Sequence, residues 1–314
     1  MERIITMKKN PVSIIICTYK RNWRLISCLE HIKKQKKNLD LTEIIVVDND
    51  RYSKLFNSIK SYSRFFFLRY KIESKIGLSN ARNTGARIAN GDYLAFIDDD
   101  VCLPENYLSI LNSVIKKYHP DIFGGPVYPK YDTNKPFWFR DEYETRKYVK
   151  KSRFIFKESI TGANFIIKKS VYNKLGGCDP TYGMTGNKQG LGEERKLLEK
   201  YRKETQKINQ RIYYCLELWV NHSISQYKLN LNYRILRSFS NGRVGVKIRR
   251  DLDGKSVNKL AAMLRLLSIT PFFVLSIFKS IINHNKNKFD LVQLIIHCSC
   301  EFGIAAESFF PSKK

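Results

Sequence analysis

Three short runs, VSIIIC at 12–17, EIIVVD at 43–48 and YLAFID at 93–98, are apolar at nearly every position. A strand with one wet face alternates apolar and polar residues. A strand covered on both faces does not, so these runs predict parallel strands sandwiched between helices. RFFFLRY at 64–70 reads as a further strand. Between the first two, Leu25, Cys28, Leu29 and Ile32 follow the i, i+3, i+4, i+7 spacing of an amphipathic helix. Tyr107, Leu108, Leu111, Val114 and Ile115 predict another, with Pro104 suited to its first turn. The first half is therefore an open, Rossmann-like α/β sheet, a fold that places ligands at the carboxyl ends of its strands.

The residues at those ends are Thr18 and Tyr19, Asp48, Asn49 and Asp50, and the triplet Asp98, Asp99, Asp100. Three adjacent carboxylates repel one another unless something compensates them. Residues i and i+2 point the same way in an extended or turning backbone, so Asp98 and Asp100 suit one shared divalent cation while Asp99 faces elsewhere. A solvated acidic turn, with Asp99 or Asp100 capping the next helix, satisfies the same residues.

The cluster stands out because the chain is basic: 56 Lys plus Arg against 29 Asp plus Glu, a formal charge of +27. Such an excess predicts attraction to nucleic acid, an acidic membrane or phosphorylated small molecules. No RRM, KH or helix-turn-helix signature is present, so nucleic acid is not an expected partner. The seven cysteines form no CxxC pair and no zinc spacing, which favours a reducing, cytosolic setting without structural disulfides. The N-terminal MERIITMKKNPVSIII lacks the pattern of a signal peptide, and no run of about 18 apolar residues predicts a span.

VSIIICTYKRNWRLISCLEHIKKQ, EIIVVDND, GLSNARNTGARIANGDYLAFIDDD, TGANFIIKKSVYNKLGGCDPTYG and GLGEERKLLEKYR resemble, in order and spacing, the family 2 glycosyltransferases of the GT-A fold. The resemblance covers 11 to about 225. It implies a catalytic domain over 1–225 and an inverting transfer from a nucleotide-sugar donor, with a UDP-sugar preferred. It further implies that Thr18, Tyr19, Asp48, Asn49, Arg82 and Asp99 contact the nucleotide-sugar. Tyr19 would flank the base, the Asn49 carbonyl would accept from an imide N–H, and Arg82 would fork onto the diphosphate.

Asp98 and Asp100, with His222 as third ligand, match the site for Mn2+ or Mg2+. Glu194, with Glu193 beside it, matches the base that takes the acceptor's proton. Trp138, Gly162, Asn164 and Asp179 match acceptor-facing positions. Each has a plainer reading open: Asn49 and Asp179 as turn residues, Arg82 as a surface charge, the glutamates as helix-dipole partners, His222 and Trp138 as structural.

From 226 to 314 the chain interleaves Lys and Arg with apolar segments at 259–282 and 289–306. This predicts a helical extension lying on an anionic membrane, with Phe272, Phe273 and Phe278 below the headgroups and Pro271 bending the segment, or else a core helix on the catalytic domain. The whole reading is a peripheral enzyme of the inner face of the cytoplasmic membrane, acting on a glycan or lipid-linked acceptor. A catalytically silent GT-A domain serving assembly is the alternative, ahead of a nucleic-acid-binding protein.

Overall fold

The computed structural model describes residues 11–35, 37–40, 42–186, 190–254, 259–264, 266–268 and 288–312. The apolar runs become β1 (Val12–Thr18), β2 (Thr42–Asp48) and β4 (Tyr93–Asp98). β3 is Phe67–Ile72, starting three residues later than RFFFLRY predicts because a 3-10 turn over Lys60–Arg64 takes up the approach to it. These four are parallel, in the order β3-β2-β1-β4. The sheet continues through β9 (Asn164–Lys168), β6 (Ile122–Gly124), β10 (Ile212–Tyr214) and β8 (Arg153–Phe154), with β9 antiparallel to both its neighbours.

Alternate residues of each strand feed opposite cores, which explains the unbroken apolar runs. Ile14, Ile16, Ile44 and Val46 join one cluster with Leu25, Cys28, Leu29 and Ile32 of α1 (Asn22–Lys33) and with Leu108 and Leu111 of α4 (Tyr107–Tyr118). Ile15, Ile45 and Val47 join the other, under α3 (Leu78–Ile88), α5 (Lys169–Lys174) and α6 (Glu193–Glu204). The remaining helix of this part, α2, is Leu55–Ile59. Pro104 precedes α4 rather than starting it, its carbonyl accepting from Tyr107 N–H. On α3, a Cβ on Gly85 would lie 2.4 Å from Ile15 Cγ2, so glycine lets the helix lie close on the sheet.

Register aligns the strand ends. Thr18 pairs with Asp48, and Cys17 with Asp98, so the residues that follow the apolar runs share one edge. A small sheet, β5 (Val101–Cys102), β11 (Val220–Ile224) and β7 (Val127–Tyr131), stands just beyond it, with His222 paired to Val101. Between 126 and 160 the chain carries β7, a 3-10 turn at Asp141–Tyr143 and β8 (Arg153–Phe154).

The chain divides into two compact units. One takes in the described residues through Lys130, those from Glu144 to 186, and Glu193–Ser223; the other takes in Tyr131–Tyr143, 190–192 and the described residues from Ile224 on. In the second, α7 (Leu231–Asp253) and α8 (Lys288–Phe309) pack backbone to backbone. A Cβ on Gly242 would sit 2.0 Å from the Cys300 carbonyl, and one on Gly303 the same distance from that of Phe239. Asn230 caps α7 by accepting from Asn232 N–H, and Gly254 ends it in the left-handed region. Phe272, Phe273, Phe278 and Pro271 lie outside the described residues. Among the described residues no helix is long and apolar enough to cross a membrane. The seven cysteines are free thiols.

Candidate functional site

The C-terminal edge of the sheet gathers Asp98, Asp99, Asp100, Glu193 and Glu194 around two guanidinium groups, Arg21 and Arg82. Asp98 closes β4, and the chain then turns so that Asp98 and Asp100 come together with His222. One oxygen of each carboxylate and one imidazole nitrogen lie within 4.8 Å of one another. His222 Nε2 is 3.1 Å from Asp100 Oδ1, and Ser223 N–H donates to the Asp100 carbonyl, so β11 carries the histidine to the triplet. Two hard oxygens and one imidazole nitrogen are a donor set that Mn2+ or Mg2+ accepts, and the borderline nitrogen favours Mn2+ of the two. Here Asp98, Asp100 and His222 would hold the ion.

Asp99 points away from that set. Its Oδ2 accepts from Thr18 Oγ1 at 2.7 Å, and its Oδ1 is 3.5 Å from Arg21 Nη1. Burial and the Asp100 charge push its carboxyl up to about 7, against the pull of Arg21 and Thr18.

Arg82, on α3, is 4% exposed and joins two halves of the edge. Its Nη1 donates to Glu193 at 2.9 Å, while Nη2 donates to Asp98 and to the Gly162 carbonyl, each at 3.2 Å. Burial opposes its charge, yet Glu193 and Asp98 more than offset that and keep it firmly protonated. Glu193, also buried, is pushed up to about 7 by burial and by Glu194, with Arg82 resisting. Glu194, one residue on, is half-buried at the head of α6, where the helix dipole favours a carboxylate. A Cβ on Gly162 would lie 3.0 Å from Arg82 Nη2 and 3.2 Å from Glu194 Cδ, so a side chain there would crowd both groups.

Several residues read as ligand contacts are spent on the protein itself. Asn49 gives its amide hydrogens to the Glu73 and Lys75 carbonyls and takes Gly77 N–H on its carbonyl oxygen, fixing the loop before α3. Asp48 is buried and accepts from Tyr70 Oη and Asp50 N–H. Thr18 holds Asp99, and the Arg82 fork, read as a phosphate clamp, is filled by carboxylates. Asn164 is fully buried, its carbonyl oxygen accepting from Tyr107 Oη and its amide donating to the Leu218 carbonyl. Asp179 builds a turn by accepting from Thr181 and is tied to α6 by Lys196. Burial would raise its carboxyl, but Lys196 and Thr181 hold it below the usual range.

Tyr19 is half-exposed beside the Lys20 ammonium. Trp138 belongs to the second unit, packed with Phe139 and Tyr143. The sequence reading misses Arg21, whose signal was its place directly after TYK at a strand end.

Known structures share this fold. The mannosyltransferase PcManGT from Pyrobaculum calidifontis, solved with GDP-Man and Mn2+, superposes with a TM-score of 0.62 at 13% identity, covering 98% of this chain and 89% of that one. S. aureus TarS 1-349, solved with UDP-GlcNAc, gives 0.53 at 12%, covering 95% and 90%. An open sheet with C-terminal helices of this kind is the GT-A architecture of glycosyltransferases. The chain belongs to glycosyl transferase family 2, whose model matches residues 13–176, just over half of its length. It is 26% identical over 246 residues to the glucosyl-dolichyl phosphate glucuronosyltransferase of Haloferax volcanii, covering 74% of this chain and 75% of that protein. An uncharacterized glycosyltransferase of Haemophilus influenzae is 27% identical over 206 residues, 65% and 67% of the two chains.

Proposed function

We propose that this glycosyltransferase moves a sugar, with inversion, from a nucleoside diphosphate donor to a hydroxyl of a glycan or lipid-linked acceptor. The observation that carries the reading is the meeting of Asp98, Asp100 and His222 within 4.8 Å at the sheet edge where such folds receive nucleotides. Mn2+ or Mg2+ bound there would neutralise charge building on the departing diphosphate. Glu194 takes the acceptor hydroxyl proton as that oxygen bonds to the anomeric carbon and the carbon–phosphate oxygen bond breaks. Glu193 is fastened to Arg82 and serves to hold the arginine between Asp98 and the head of α6. A UDP-sugar is the first choice of donor, with GDP- and dTDP-sugars next.

We assign 1–225 as the catalytic domain and 226–314 as an extension that rests on the inner face of the cytoplasmic membrane. The net charge of +27 and the exposed Leu260, Met263, Leu264, Leu267, Phe302 and Phe310 support that placement. Co-sedimentation with anionic but not neutral vesicles is its expected signature, and equal behaviour with both would contradict it.

The donor reading is tested by thermal shift with UDP-, GDP- and dTDP-sugars. Ligand at 100 times its dissociation constant stabilises by about 2.7 kcal/mol. One nucleotide class should raise the midpoint by several degrees with Mn2+ and much less with EDTA. Equal shifts under both conditions would count against a metal-held diphosphate.

A further inference from the structure

Two arginines serve the same acidic edge, and they are held very differently. Arg82 is sealed in, with both terminal nitrogens donated to Glu193, Asp98 and the Gly162 carbonyl. Moving it would leave Glu193 buried without its cation. Arg21 stands at the mouth, in the residue preceding α1, with its side chain 42% exposed. Its Nη1 is 3.5 Å from Asp99 Oδ1 and 3.5 Å from Asp100 Oδ2, so one guanidinium nitrogen serves both carboxylates. Asp100 therefore has an imidazole against one oxygen and this guanidinium beyond the other.

We propose that Arg21 is a resident counter-charge that a divalent cation displaces from Asp100, and that the displaced guanidinium then pairs with the donor's diphosphate. This rests on the metal reading above. The physical argument is a balance of charge. A divalent ion entering alone meets a guanidinium beside one of its ligands, which opposes binding. When the nucleoside diphosphate arrives, its oxygens offer that guanidinium a better partner, because planar guanidinium groups match phosphate oxygens in bidentate geometry. Cation and nucleotide then bind cooperatively, each tightening the other by the same factor. Arg82 is set apart from this part by its own burial, 4% exposed, and by the buried Glu193 that it pairs with at 2.9 Å.

The test uses the full chain and Mn2+ titrated by calorimetry, alone and in the presence of UDP or GDP. Arg21→Gln should bind Mn2+ alone about three- to tenfold more tightly than the parent. The factor by which the nucleotide tightens Mn2+ should fall by about tenfold from a parent value within the usual 5- to 150-fold range of coupled sites. Arg21→Lys should lie between, and Lys60→Gln, an exposed charge elsewhere, should match the parent. An Arg21→Gln protein whose affinity for Mn2+ alone is unchanged or weaker overturns the proposal while leaving the metal site intact. A parent that binds no Mn2+ even with nucleotide removes the metal reading, and this proposal with it.

Discussion

Glu193 at the head of α6 and Glu307 near the end of α8 are both nearly sealed from water, 5% and 1% exposed, and both are paired with arginine. Their environments act in opposite directions. Glu307 receives Arg243 through Nε and Nη2, Arg250 through Nη1, and both the N–H and hydroxyl of Ser312. Burial alone would raise its carboxyl, but Ser312 and the two arginines hold it below the ordinary range. Glu193 has one arginine, shared with Asp98, and a second glutamate beside it, so burial and repulsion win and its carboxyl rises to about 7. A buried acid with surplus donors is a fastener. A buried acid that shares its arginine with another carboxylate, as Glu193 does among the described residues, belongs to an edge rich in negative charge, and such an edge is suited to receive a cation from outside.

The sharpest way to split the two glutamates of α6 is to neutralise each in turn. Glu194→Gln should lower kcat by about 10^3-fold, within the span of general base catalysis, with little change in donor KM. Glu193→Gln should leave a measurable rate under the proposed assignment, in which Glu193, paired with Arg82, positions the arginine. Steady-state kinetics on both variants decide it; the reverse order of losses would transfer the base to Glu193.

Glu307→Leu probes the other side of the comparison. It should cost about 2–3 kcal/mol, less than a fully buried pair because Arg243 and Arg250 keep some contact with water. Turnover per folded molecule should be unchanged. The pH dependence of the melting midpoint in EDTA separates the two acids further. Glu307 has a lowered folded pKa, so its contribution is present above the ordinary glutamate value and disappears as pH falls through the folded one. Glu193 has a raised one, so its contribution is full below the ordinary value and is lost as pH rises through about 7. Glu307→Leu should flatten the acid limb, and Glu193→Gln the decline toward neutral pH. Identical limbs in all three proteins would break the comparison.

The strands of the parallel sheet were legible because two-sided burial writes a continuous apolar run, as in Ile14–Ile15–Ile16. β3 was misjudged at its start because it is the sheet's edge strand, half-exposed, and its run of Phe is shared with a turn. The acidic end of β4 was legible from composition, and His222 through resemblance. What stayed hidden was how polar side chains are spent. Asn49, Thr18 and Asn164 look available for a ligand, yet their partners are Glu73 and Lys75, Asp99, and Tyr107 with Leu218, which only the fold brings near. Periodicity reports which side of an element is buried. It does not report which of two polar groups at a strand end finds an internal partner first.

The central claim is that the carboxylates of Asp98 and Asp100 face a common cation while Asp99 is held by Thr18 and Arg21. Mn2+-dependent release of nucleoside diphosphate, measured for the parent, Asp100→Ala and Asp99→Asn side by side, tests it most directly. The expected result is a loss of about 100-fold or more in Asp100→Ala with the fold retained, and a smaller loss in Asp99→Asn. Full Mn2+-dependent activity in Asp100→Ala would contradict the account.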